Sequence, residues 1–173
     1  MNIPKPKLEL NIAKTHSYDI LTGLPDSNLF FDRLAQSIAI ASRAKKIIAV
    51  LFVSVDRLKV INDTLGETFG NRLLIGLVRR LQGCIRKSDT LARPGRDELV
   101  ILLPEIRYPE DAAIVARTIL SSMEKPFILK RQKYSVKLNI GISVFPDDAD
   151  DPKSLLSNAY TAMQRMRELR KNT

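Results

Sequence analysis

Asp89-Thr-Leu-Ala-Arg-Pro-Gly-Arg-Asp-Glu-Leu-Val-Ile-Leu-Leu103 reads as strand, tight turn, strand. Leu91 and Ala92 close one apolar run. Pro94 and Gly95 supply the turn, proline through its fixed φ and glycine through its access to positive φ. Residues 99–103 are continuously apolar, the pattern of a strand covered on both faces. Such a hairpin projects Arg96, Asp97 and Glu98 from the middle of a sheet. Two acids flanked by arginines on a rigid turn suit a metal ion or a phosphate, and they equally suit a solvated β-turn.

Working outward, the β-branched run Ile47–Val55 predicts a central strand. Ser54 and Asp56, two residues apart, share a face at its C-terminal end. Residues 134–144 alternate apolar and polar without a break, which predicts one long strand, and 126–129 a short one. Five helices complete the pattern. The first is N-capped by Asp26 or Ser27 and carries the stripe Leu29, Phe30, Leu34, Ile38 and Ala41. The others span 57–65, stopped by Gly66; 69–85, weakened by Gly76 and Gly83; 109–123; and a last one from about Ser154, with Leu155, Leu156, Ala159, Ala162, Met163 and Met166 facing inward. Residues 18–25 form an ordered turn ahead of the first helix. The order α-β-α-α-β-β-α-β-β-α predicts an α+β sandwich, with a mixed central sheet flanked by helices. Residues 1–17, with Pro4 and Pro6, read as a linker or lead-in, and 18–173 as the domain.

Composition narrows the function. A chain of 173 residues suits one domain. Cys84 is the only cysteine, which excludes an internal disulfide and favours a reduced, cytoplasmic setting. His16 is the only histidine, which sets aside His-rich metal sites. No apolar run is long enough to insert in a membrane, and no secretory signal is visible. The formal net charge of +9 is spread along the chain without a DNA- or RNA-reading motif, so a basic solvated surface is expected rather than nucleic-acid binding.

Several motifs in order carry a resemblance: Asp19-x-Leu21-Thr-Gly-Leu-Pro25, Val55-Asp-Arg-Leu-Lys-Val-Ile-Asn-Asp63-Thr-Leu-Gly66, Arg86-x-x-Asp89, Gly95-Arg-Asp-Glu-Leu99 and Ile140-Gly-Ile-Ser143. Together they resemble the GGDEF domain, the diguanylate cyclase fold of bacterial signalling, related to the nucleotidyl-cyclase palm. The resemblance covers nearly the whole chain. It implies a domain that joins two GTP molecules into cyclic di-GMP, one GTP from each of two domains meeting as a homodimer. Mg²⁺ and basic side chains would hold the triphosphate while the 3′-oxygen of one nucleotide attacks the α-phosphate of the other.

Carried over residue by residue, the resemblance implies a damaged centre. The metal positions fall on Asp97, the backbone carbonyl of Val55, and Ser54, where a carboxylate is usual; a hydroxyl brings no charge to a cation. Asp97 and Glu98 are the catalytic remnant. Arg96 replaces the second glycine of the signature, where positive φ would cost an arginine about 1 kcal/mol or more. The nucleotide positions fall on Lys59, Asn62, Asn71, Gly95, Arg167 and Lys171, with Asn71 replacing an aspartate. Arg86 and Asp89 match an inhibitory site for cyclic di-GMP and are intact, although Arg and Asp three apart also form ordinary surface ion pairs. The reading is a catalytically silent module binding cyclic di-GMP or GTP, with Mg²⁺ as cofactor only where a nucleotide binds. Two alternatives stand beside it. One is a working cyclase using Asp97, Glu98 and Asp56; the other is a dimerisation or interaction domain regulating a linked sensor or phosphodiesterase domain.

Overall fold

Strand β1 (Ile47–Val55) is the centre of a computed structural model that describes residues 17–172. The lead-in expected over 1–17 lies, but for Ser17, outside the described residues. Before β1 comes α1 (Ser27–Ala44). After it come α2 (Leu58–Leu65), α3 (Glu67–Gln82), β2 (Thr90–Gly95), β3 (Glu98–Ile106), α4 (Glu110–Ser122), β4 (Phe127–Leu129), β5 (Gln132–Tyr134), β6 (Leu138–Phe145) and α5 (Pro152–Lys171). The main sheet runs β2-β3-β1-β6, and β4 and β5 form a separate hairpin.

Side chains alternate across a strand, so β1 feeds two cores. Ala49, Leu51, Val53 and Val55 pack with Leu73, Leu77, Leu81 and Ile119 on the side of α3 and α4. Ile48, Val50 and Phe52 pack with Phe30, Leu34, Leu155 and Met163 of α1 and α5. Each such side chain contributes about 1.5–3 kcal/mol on burial, before the entropy cost of ordering. The helices start where short polar side chains can cap them. Asp26 accepts the Leu29 amide at 2.9 Å, and Asp151 accepts the Ser154 amide at 2.8 Å.

The α+β architecture matches the sequence pattern, and several details differ. Every strand pairing is antiparallel, so the sheet is not mixed. The run 134–144 is two strands: Tyr134 pairs with Phe127 in the small hairpin, and Leu138 onward pairs with β1. Alternation specifies faces, not neighbours, so a change of sheet within the run leaves no mark on it. Pro94 and Gly95 belong to β2, with the register slipping between Ala92 and Gly95, and the turn itself is Arg96-Asp97. Proline is tolerated there because β2 is an edge strand. Helix α3 spans Glu67–Gln82 and Gly83 is its C-cap. Helix α5 begins at Pro152, and Met166 near its end is exposed rather than inward.

Gly141 fixes how closely α5 lies on the sheet. A Cβ there would collide with the backbone of Ala159 and Met163, coming within 2.8 Å of the Met163 Cα. Backbone cannot rotate aside as a side chain can. Gly141→Ala is therefore expected to lower stability by about 2–3 kcal/mol, read as a shift in the urea midpoint at unchanged slope.

Candidate functional site

The end of β1, the β2–β3 turn and the α2–α3 elbow meet at one edge of the sheet. Across the strands, Ser54 sits between Glu98 of β3 and Asn139 of β6. Ser54 is 0% exposed, and the Asn139 Nδ2 donates to its Oγ at 3.5 Å, the outer limit of a hydrogen bond. The Val55 amide donates to the Asp97 carbonyl at 3.2 Å, tying the strand end to the turn. Asp56 lies just past the strand, its amide donating to the Lys137 carbonyl at 2.9 Å. Burial pushes the Glu98 carboxyl above its ordinary range. The neighbouring Asp97 charge adds to this, and Arg167 of α5 opposes it.

Arg93 of β2 holds the turn in place. Its guanidinium donates to the Arg96 carbonyl, at 2.6 Å from Nη2, and to both Asp19 carboxylate oxygens at 3.1 and 3.2 Å. Its amide donates to the Pro25 carbonyl at 2.9 Å. Asp19 in turn accepts the Thr22 amide at 2.8 Å and its hydroxyl at 2.6 Å. The ordered turn of residues 18–25, with Gly23 at φ 72°, is thereby latched to the hairpin. Arg96 does not take positive φ, so the backbone cost expected for it is not incurred.

Two pockets flank this framework. One, of about 260 Å³, is lined by Leu58, Lys59, Asn62, Asp63, Arg96 and Asp97. Of the positions proposed from the sequence, it gathers Lys59, Asn62 and Asp97. Gly95, Asn71, Arg167 and Lys171 are not in its lining. The Asn62 amide is wedged against Gly70, where a Cβ would collide with it, and its Oδ1 is buried without a partner. The Arg96 guanidinium, on an otherwise exposed side chain, reaches Glu67 of α3 at 3.4 Å.

The second pocket, of about 390 Å³, contains Arg86 and Asp89, and adds Arg33, Lys87 and the Gly23-Leu24-Pro25 segment of the latched turn. Asp89 accepts the Arg86 amide at 2.8 Å rather than pairing with its guanidinium. Burial pushes the Asp89 carboxyl up, against the Arg86 amide and charge. Sequence reading missed Arg33 and Lys87 as lining residues, and Arg93 and Glu67 as the partners of the Arg96 carbonyl and side chain. Arg93 stands in the quoted stretch, but its latch to Asp19 spans 74 positions, and no local spacing announces it.

GGDEF domains in general use Mg²⁺ for catalysis. Magnesium takes near-octahedral oxygen ligands including one or two carboxylates. Ser54 offers a sealed, neutral hydroxyl, and among the described residues no three of His, Cys, Asp or Glu are grouped to hold a metal. Of the two acidic metal positions that the resemblance carries over, Asp97 keeps its carboxylate and Ser54 does not, so the set is short of one anionic ligand. Among the described residues, no helix is long and apolar enough to cross a membrane.

Residues 16–173 match the family model described as diguanylate cyclase, GGDEF domain. The chain is 38% identical over 154 residues to diguanylate cyclase TpbB of Pseudomonas aeruginosa strain UCBPP-PA14, covering 88% of this chain and 35% of that protein. It is 37% identical over 155 residues to the bifunctional diguanylate cyclase/cyclic di-GMP phosphodiesterase MucR of P. aeruginosa PAO1, covering 90% of this chain and 22% of MucR. It thus spans about a third or less of the length of these relatives. Among solved structures, the isolated GGDEF domain of P. aeruginosa TpbB superposes with a TM-score of 0.86 at 37% identity, covering 88% of this chain and 89% of that one.

The latch makes a pH prediction. Burial raises the Asp19 carboxyl, but the Thr22 and Arg93 bonds outweigh it and hold the group below 3.8. A carboxyl depressed on folding stabilises the fold above its unfolded value, and that stability is lost as pH falls through the folded value. Asp19→Asn is expected to cost about 1–2 kcal/mol at pH 7. The gap to wild type should close below pH 3.8 in urea titrations at both pH values.

Proposed function

This chain belongs to the GGDEF family of diguanylate cyclase domains, and we propose that within it the domain is a catalytically idle module that senses a guanine nucleotide. Cyclic di-GMP is its ligand at the Arg86 pocket, and GTP at the Lys59–Arg96 pocket. The observation that carries the idle reading is Ser54, a fully buried neutral group facing Asn139 at the strand end where the family resemblance calls for a metal-binding carboxylate. Phosphoryl transfer is mostly positioning and charge neutralisation, so a site short of anionic metal ligands loses the step that matters most.

The receptor half rests on the second pocket. Arg33, Arg86 and Lys87 line it together with Asp89. Two phosphodiesters need cationic partners, and an arginine fork also suits the guanine edge. Asp89 bonds the Arg86 backbone, which orients the segment and leaves the guanidinium outside any ion pair with Asp89. MucR carries both a cyclase and a phosphodiesterase activity by name. A silent GGDEF module regulating a linked domain is a use consistent with such company.

Two measurements decide this. Calorimetric titration of cyclic di-GMP is expected to give saturable heat with wild type and an affinity at least about tenfold weaker with Arg86→Ala, as truncating one member of a charged contact costs 2 kcal/mol or more. Equal heats from both proteins would remove the receptor. Incubation with GTP and Mg²⁺ or Mn²⁺, followed by chromatography, is expected to show no cyclic di-GMP; its appearance would establish a working cyclase instead.

A further inference from the structure

The shortage of anionic metal ligands has a chemical counterpart in the pocket beside the strand end. Lys59 and Arg96 both line it, and the nearby strand-end position is an uncharged, buried serine. We propose that this pocket binds a nucleoside triphosphate directly through Arg96 and Lys59, without a divalent cation. This deepens the GTP half of the reading above and rests on it.

The geometry suits a phosphate-binding arm. The Arg96 backbone is anchored because Arg93, itself held by Asp19, donates twice to the Arg96 carbonyl. Its side chain is 70% exposed and held at 3.4 Å by Glu67, which is 72% exposed. An ion pair that open is worth at most about 1 kcal/mol, so a phosphate can displace Glu67 cheaply. A guanidinium offers parallel N–H donors to phosphate oxygens and keeps its charge at every working pH, while the lysine adds a point charge. The anchored backbone and loose side chain together leave the arm aimed but available.

Asp63 and Asp97 also line the pocket and face the same space with the opposite sign. They separate the two chemistries. In a metal-dependent site, an acidic lining residue such as Asp97 recruits the cation, so neutralising it weakens nucleotide binding. In a metal-free site it only repels the triphosphate, so neutralising it strengthens binding.

The test is calorimetric titration of GTP into the full chain, in EDTA and in excess MgCl₂, with wild type, Arg96→Gly and Asp97→Asn. Arg86→Ala serves as the control for binding in the other pocket. Wild type is expected to bind GTP in EDTA at least as tightly as in MgCl₂. Arg96→Gly should weaken binding in EDTA by about tenfold, the loss of one charged contact. Asp97→Asn should tighten it, and Arg86→Ala should leave it unchanged. Binding only with Mg²⁺, weaker binding by Asp97→Asn in EDTA, undiminished binding by Arg96→Gly, or loss on Arg86→Ala would each overturn the proposal. No GTP binding in either buffer would overturn it too and remove the GTP half of the function, while leaving cyclic di-GMP at Arg86 to stand on its own titration.

Discussion

The constraint on which this molecule depends is that its central strand has no solvent. Residues Ile48 to Val55 of β1 are all buried, hydrogen-bonded on one side to β3 and on the other to β6. Both faces are covered by helices, so each position must be apolar or have a polar partner. Seven of those eight positions are apolar; the exception is Ser54. An ionised carboxylate in such a place is expensive unless a cation neutralises it. A serine beside Asn139 needs no cation at all. A serine there therefore spares the resting fold a charge it would otherwise have to compensate.

Around that strand, polar order is concentrated in one chain of contacts. Thr22 fixes Asp19, Asp19 fixes Arg93, and Arg93 fixes the carbonyl of Arg96. The pair Arg93–Asp19 is well shielded, with side chains only 11% and 22% exposed, whereas Arg96–Glu67 lies in the open. Screening by water and salt separates the two pairs: the first is structural, the second is a contact easily exchanged. The 18–25 turn also supplies Gly23, Leu24 and Pro25 to the Arg86 pocket. One short segment thus borders the cyclic di-GMP candidate site and, through Arg93, the signature turn.

The pockets differ in what they retain. That of Arg86 holds a surplus of cations with Asp89 committed to the local backbone. That of Lys59 balances two cations against two acids. Both pockets are lined by cations, and the strand end beside that of Lys59 carries a neutral serine. The chain's position in the family follows from matched fold and sequence; the proposed loss of activity rests on Ser54, Arg96 and Asn71.

Much of this was legible in the sequence because it depends on local periodicity. Burial on both faces announced β1 and β3, the 3.6-residue stripes announced the helices, and Asp26 announced the first cap. Ser54, Asp97 and Arg86 stand as site positions only through the family resemblance, which names them. Tertiary structure decided the rest. It split the run at 134–144 between two sheets, since alternation does not name a partner strand. It moved the turn from Pro94-Gly95 to Arg96-Asp97, since a bulge on an edge strand absorbs a proline that would break an inner one. It also joined Arg93 to Asp19 and Arg96 to Glu67, across 74 and 29 positions. Pairings at that distance are set by how layers pack, and packing is a property of the whole chain rather than of any stretch within it.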